Sequence, residues 1–200
     1  MMTFRFLQLI PPYSFRTLSF TFSRIAYLLV FVASFSIFYS CSTSRHASTI
    51  TDYRALAKAS RKLGVRIDYK DNHRLFLECA QWVGVPYRYG GKSRRGVDCS
   101  GLTYCIYRQL YGISLSPNSQ MQLDRDVQVR VKKGHVTPGD LLFFSDRRSK
   151  RHINHVGIYL KGGKFIHAST SRGVRIDDLQ DAHWKKRWVA AGQLGGFQFL

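Results

Sequence analysis

Cys99 follows Gly96-Val97-Asp98 and opens a stretch, 99–111, in which Leu102, Cys105, Ile106 and Leu110 lie on or beside one helical face. A cysteine at a helix N-terminus meets unpaired amides and a partial positive charge, which favour thiolate over thiol. A free thiol of pKa roughly 8.5 is mostly protonated at neutral pH, so an imidazole beside it is needed to make a nucleophile. His155, within Asn154-His155-Val156-Gly157, is the candidate base. His167, within Phe165-Ile166-His167-Ala168, is the candidate group to orient it. A thiol, a base and an orienting polar group carry out acyl transfer on an amide through a thioester, with no metal or cofactor.

The two histidines lie on runs joined by Gly162-Gly163, so strand register decides whether they meet. A two-residue turn pairs Ile158 with His167 and puts the rings on opposite faces. A three-residue loop pairs Leu160 with Lys164 and makes the histidines diagonal neighbours on one face, about 7 Å apart at the backbone. A working pair therefore predicts the three-residue loop or an equivalent bulge, with Gly163 in the left-handed conformation. The remaining histidines, His46, His73, His135, His152 and His183, read as solvated. His152 is the rival base, and its three-residue offset from His155 puts it on the opposite face of an extended run. Cys79 and Cys105 fall on apolar helix faces and read as small core residues.

The elements that must position these groups are legible as well. Asp71-Asn72 is expected to cap a helix carrying Leu75, Phe76, Cys79, Ala80 and Val83, ended by Gly84 and Pro86. A glycine-rich loop, 86–98, leads to Cys99, and Gly112 ends the second helix. Beyond Pro117 short β-rich runs follow at 127–131, 140–145, 155–160, 165–168 and 174–176. Helices first and an antiparallel sheet afterwards predict an α+β domain over residues 71–200.

Several motifs in register resemble the NlpC family of bacterial cell-wall peptidases, a compact papain-like group. They are Pro86-Tyr87 with Gly90-Gly91, Asp98-Cys99-Ser100-Gly101, Pro138-Gly139-Asp140-Leu141, His155-Val156-Gly157-Ile158-Tyr159 and Phe165-Ile166-His167-Ala168. The resemblance implies a papain-like fold with the nucleophile at a helix N-terminus packed on an antiparallel sheet. It implies a catalytic triad of Cys99, His155 and His167, with the Tyr87 hydroxyl and the Cys99 amide receiving the oxyanion. Asp98 and Ser100 flank the nucleophile and, as in some relatives, would hold a substrate amine. The implied substrate is the stem peptide of peptidoglycan, cut after D-glutamate or within a D-amino-acid cross-link. The alternatives are an amidase or acyltransferase acting off the wall and a catalytically silent wall-binding module.

Residues 1–40 contain Arg5, Arg16 and Arg24, no acidic residue, and the apolar run 25–39. This is the layout of a secretory signal, and the run is shorter than the roughly 20 residues of a spanning helix. It ends on Ser40-Cys41 and resembles a lipobox, with Phe38 and Tyr39 where that pattern has an aliphatic and a small residue. Residues 41–70 are therefore expected to be a lipidated N-terminus at Cys41 and a flexible tether, with a short helical stretch at 53–63. The expected location is the cell envelope, with a lipid anchor in the membrane. A formal net charge of +19 calls for an anionic partner. An exported domain meets wall carboxylates and phosphate-bearing polymers, so no nucleic-acid partner is expected. The basic cluster Arg147, Arg148, Lys150 and Arg151 reads either as solvated or as a cleft rim.

Overall fold

Asn72 and Asp98 begin the two helices on which the domain is organised. The computed structural model describes residues 53–146 and 152–194. The export segment, Cys41 and the basic cluster of Arg147, Arg148, Lys150 and Arg151 lie outside the described residues. The side chain of Asn72 accepts a hydrogen bond from the Leu75 amide at 3.2 Å and starts α2 (His73–Trp82). Asp98 does the same for α3 (Cys99–Tyr111), accepting from the Gly101 amide at 2.6 Å. Gly112 ends α3 in the left-handed conformation at φ +71°, where its N–H reaches the Arg108 carbonyl.

Before α2 stands α1 (Tyr53–Leu63), and between α2 and α3 lies a short ribbon of β1 (Lys92–Ser93) and β2 (Gly96–Val97). After α3, the one-turn α4 (Ser119–Met121) runs into a π-helical turn, Gln122–Asp126. The remaining elements are β3 (Val129–Val131), β4 (Leu141–Phe144), β5 (His155–Lys161), β6 (Lys164–Ser169), β7 (Gly173–Asp178), α5 (Ala182–Arg187) and β8 (Trp188–Gln193). Six strands form one antiparallel sheet in the order β3-β8-β4-β5-β6-β7. The fold is α+β, as the sequence predicts.

The sheet buries both faces, which explains why β4 reads as an unbroken apolar run. Leu141 and Phe143 join Val156, Ile158 and Ile166 in a core with Leu102, Ile106 and Tyr107 of α3. Leu142 and Phe144 point the other way, into a smaller cluster with Phe165, Leu179 and Trp188. Each such side chain, fully buried, is worth about 1.5–3 kcal/mol.

The structure corrects the expected start of the domain. In α1, Leu56, Ala59 and Leu63 are buried, and Ala59, Leu63 and Val65 belong to the main core. The helical stretch expected at 53–63 is present as α1, and through Val65 it is packed structure, because α1 carries an apolar stripe that α2 covers. The sequence reading also lacks α4, the π-helical turn, α5 and β8.

Candidate active site

Cys99 occupies the first position of α3 because the chain before it is held tightly. Asp98 accepts from the Gly90 amide through Oδ2 at 2.7 Å, while its Oδ1 takes the Gly101 amide and the Ser100 hydroxyl, the latter at 3.0 Å. The glycine-rich loop is thereby pinned to the helix start. Gly101 is required there, since a Cβ would lie 2.1 Å from the Gly91 carbonyl oxygen. Tyr87, half-buried, bridges to Val97 of β2. The thiol opens on a cleft lined by Tyr87, Tyr89, Asp98, Ser100, Asn118 and His152.

The histidines meet through the bulge that the sequence reading allows. Gly162 and Gly163, at φ +60° and +82°, make a two-residue turn that pairs Lys161 with Lys164. One extra residue is then absorbed between Tyr159 and Lys161, so that Tyr159 pairs with Phe165 and Ile158 with Ile166. The rest of β5 runs in the register of the three-residue loop. His155 Nε2 lies 3.0 Å from His167 Nδ1.

Behind them stands a carboxylate. Asp177 Oδ2 is 3.0 Å from His167 Nε2 and accepts from Trp184 Nε1 at 2.9 Å, while Oδ1 pairs with Arg175 at 2.6 Å. A carboxylate only accepts, so His167 carries its proton on Nε2 and presents a lone pair at Nδ1. His155 must then donate from Nε2, which leaves its Nδ1 as the basic nitrogen. One charge thus sets the tautomer of both rings. Trp184 covers them, stacked on His155 at 5.5 Å between ring centres and edge-on to His167 at 4.8 Å.

Burial dominates the electrostatics. It pushes the Cys99 thiol up to about 11, reinforced by the Asp98 charge and opposed by the amides of Val156, Ser100 and Cys99. Those amides do favour thiolate, as expected at a helix start, but loss of solvent outweighs them. Burial also takes His155 down to about 3, with the neighbouring His167 acting in the same direction and Asp177 opposing. His167 is lowered by burial against the pull of Asp177. Burial alone would raise Asp177, yet the bonds from His167 and Trp184 and the Arg175 charge hold it at about 2. The resting site is a neutral thiol and neutral imidazoles above a fixed carboxylate.

Cys99, Tyr87, Asp98 and Ser100 line one cleft, and His155 and His167 line the adjoining one. Asn154 lines the Cys99 cleft and the next residue, His155, lines the other, so consecutive residues at the start of β5 face the two clefts. Asp98 and Ser100 are buried and spend their bonds inside the protein, Ser100 also reaching the Pro117 carbonyl at 3.0 Å. His152 is exposed on the rim of the Cys99 cleft, and His183 lines the other beside Trp184. Sequence reasoning missed Asp177 and gave Trp184 no role. The only signal for Asp177 was its place at the end of the run 174–176, and it needed the β6–β7 register, His167 opposite Arg175, to be noticed.

Comparison with known proteins identifies the family of the chain. Residues 84–193 match the NlpC/P60 family. The chain is 39% identical over 113 residues to a probable endopeptidase NlpC of Escherichia coli K12, covering 56% of this chain and 71% of that protein. It is 32% identical over 161 residues to the murein DD-endopeptidase MepS/murein LD-carboxypeptidase of the same strain, covering 76% and 83%. A solved NlpC/P60 family protein from Bacillus cereus ATCC 10987 superposes with a TM-score of 0.55 at 31% identity, over 60% of this chain and 39% of that one. The chain belongs to the NlpC/P60 family and is a cysteine peptidase.

Proposed function

We propose that this protein is a peptidoglycan endopeptidase that hydrolyses stem-peptide amides with Cys99, His155 and His167. The observation that carries the reading is the 3.0 Å contact between His155 Nε2 and His167 Nδ1, in a chain whose Cys99 opens a helix and faces a cleft. The relatives named as murein and NlpC-type endopeptidases support the substrate. His155 Nδ1 takes the thiol proton as Sγ attacks the amide carbonyl, and the charged imidazolium is stabilised through His167 by Asp177. The oxyanion is received by the Cys99 amide and the Tyr87 hydroxyl. His155 then protonates the leaving amine, and water, activated by the same nitrogen, hydrolyses the thioester. Asp98 and Ser100 line the cleft of the acyl half, where the Asp98 charge attracts a free amine from behind its bonds to Gly90, Ser100 and Gly101. The signal-like residues 1–40 and Cys41 support export and a lipid anchor that holds the enzyme in the envelope.

The test is digestion of sacculi and defined muropeptides by the purified protein, with products weighed by mass spectrometry. Products are expected from the native protein and none from Cys99→Ala. Products that persist without the thiol overturn the mechanism, and their absence in both overturns the function.

A further inference from the structure

The second cleft, which the mechanism above uses only for its histidines, has a wall that nothing so far explains. It carries Ser169, Thr170, Ser171 and Arg172 of the β6–β7 turn, with Arg175, Asp181 and His183 around them. The turn is fixed in place. Gly173, at φ +67°, lies so close to Val85 that a Cβ would stand 2.5 Å from its carbonyl oxygen. The Val174 amide bonds that same carbonyl at 2.8 Å, two residues before Tyr87. Arg172 therefore sits on a fixed turn in the wall of the cleft that His155 and His167 also line.

The charges on this wall are unevenly satisfied. Arg175 is paired with Asp177 at 2.6 Å, and Asp177 is spent on Arg175, His167 and Trp184. Arg172 is exposed and forms no ion pair among the described residues. The Arg175 Nε–H is buried with no acceptor. Asp181, at the N-terminus of α5, pairs with neither arginine and leaves Arg172 unneutralised. What is missing on this wall is an anionic partner for Arg172, since neither Asp177 nor Asp181 forms an ion pair with it.

Which half of the substrate meets it follows from the chemistry. His155 must protonate the leaving nitrogen, so that nitrogen sits on the imidazole side of the thiol and its substituents continue into the cleft His155 lines. The acyl half occupies the cleft of Cys99, Tyr87 and Asp98. We propose that Arg172, with Ser169 on the same wall, forms a subsite for a free carboxylate on the leaving half, next to the scissile nitrogen. A bidentate guanidinium–carboxylate contact is the natural form of such recognition. The inference rests on the peptidase reading and adds a choice of bond. It favours amides whose nitrogen-bearing carbon has a free carboxylate, as in a D-alanyl-diaminopimelate cross-link. It disfavours a D-glutamyl-diaminopimelate bond, where that carboxyl is tied up in the next amide.

The experiment compares kcat/KM for a cross-linked muropeptide dimer with that for its analogue in which the carboxylate beside the cross-link is a carboxamide. Native protein is expected to prefer the free acid at least tenfold, and in Arg172→Gln the ratio is expected to collapse toward one. Arg172→Lys is expected to retain part of the preference. Equal rates on both substrates in the native protein, a preference that survives in Arg172→Gln, or cleavage confined to the D-glutamyl bond overturns the subsite and leaves the peptidase standing. Hydrolysis of no muropeptide overturns both.

Discussion

Asp177 bonds to His167, to Trp184 and to Arg175, and it touches neither the thiol nor His155 in the hydrogen-bond network. In the proposed mechanism it acts through His167, as a positioning residue. In Asp177→Asn the amide oxygen can still accept from His167, but the charge that supports an imidazolium is gone. Since Asp177 raises both imidazoles against burial, its loss lowers their basicity further. We expect kcat to fall roughly 10- to 100-fold, part of the 10²–10⁴ or so that a positioned acid–base group supplies, with KM changed far less. A merely structural role would lower the thermal midpoint and leave the pH profile of the remaining activity unmoved, so both are measured. The resting protonation states give a second expectation. With the thiol pushed up to about 11 and His155 down to about 3, neither titrates near neutrality in the free enzyme. The rate of Cys99 alkylation by iodoacetamide should rise continuously with pH toward about 11. A plateau on the acid side of neutrality would reveal a preformed thiolate–imidazolium pair and refute this resting state. The contact of His155 with His167 and the shared cleft of Cys99 and Tyr87 were legible because each residue sits in a motif with neighbours of defined type. Asp177 was not, because a single aspartate at a strand end looks like any solvated one until the partner strand is known.

Elements place these residues through a few close contacts. The start of α3 tolerates no side chain at position 101, where the Gly91 carbonyl would stand 2.1 Å from a Cβ. Gly101→Ala must push the glycine-rich loop away from the helix and strain the Asp98 bonds that tie Gly90 and Gly101 together. Destabilisation of about 1–3 kcal/mol is expected from such overpacking, read as a lower thermal midpoint, together with lost activity because Tyr87 and Cys99 ride on the displaced segments. Unchanged midpoint and activity would mean the loop moves freely. The helices α2 and α3 were readable from caps and period, and the β5–β6 register from the demand that two histidines share a face. β8 was not, since Trp188-Val189-Ala190-Ala191-Gly192-Gln193 has few of the branched residues that mark strands. It pairs with β3 and β4 because the sheet leaves a place between them. α5 is six residues long, too short for a period to register, and it is recognised only by Trp184 and its stacking on His155.

At the scale of the whole molecule, the outstanding difference between sequence and structure is where the folded domain begins. Residues before 71 are rich in lysine and arginine, which reads as a solvated tether, and only the positions of Leu56, Ala59 and Leu63 betray a buried stripe. Val65 follows them into the core, and Lys161 of β5 reaches back to Asp68 and Asp71 at 2.7 and 2.8 Å. Those ion pairs are partly exposed and worth little each. The apolar contacts matter more. Removing Leu56, Leu63 and Val65 from their partners on α2 and the main core costs on the order of 3–6 kcal/mol. That is a large share of the roughly 5–15 kcal/mol by which a domain of this size is stable. A chain beginning at Asp71 retains every residue of the proposed site, so if α1 were only a spacer it would unfold at the temperature of a chain beginning at Thr51. We expect instead that the shorter chain melts many degrees lower or fails to fold, and that Leu63→Ala in the longer chain reproduces part of the loss, about 2–4 kcal/mol. Circular dichroism melts of the three proteins decide it. Coincident melts would make α1 dispensable and return residues 53–70 to the tether. A graded loss would show that α1 and Val65 are part of the folded peptidase domain and hold up the same core on which α3 and β5 rest.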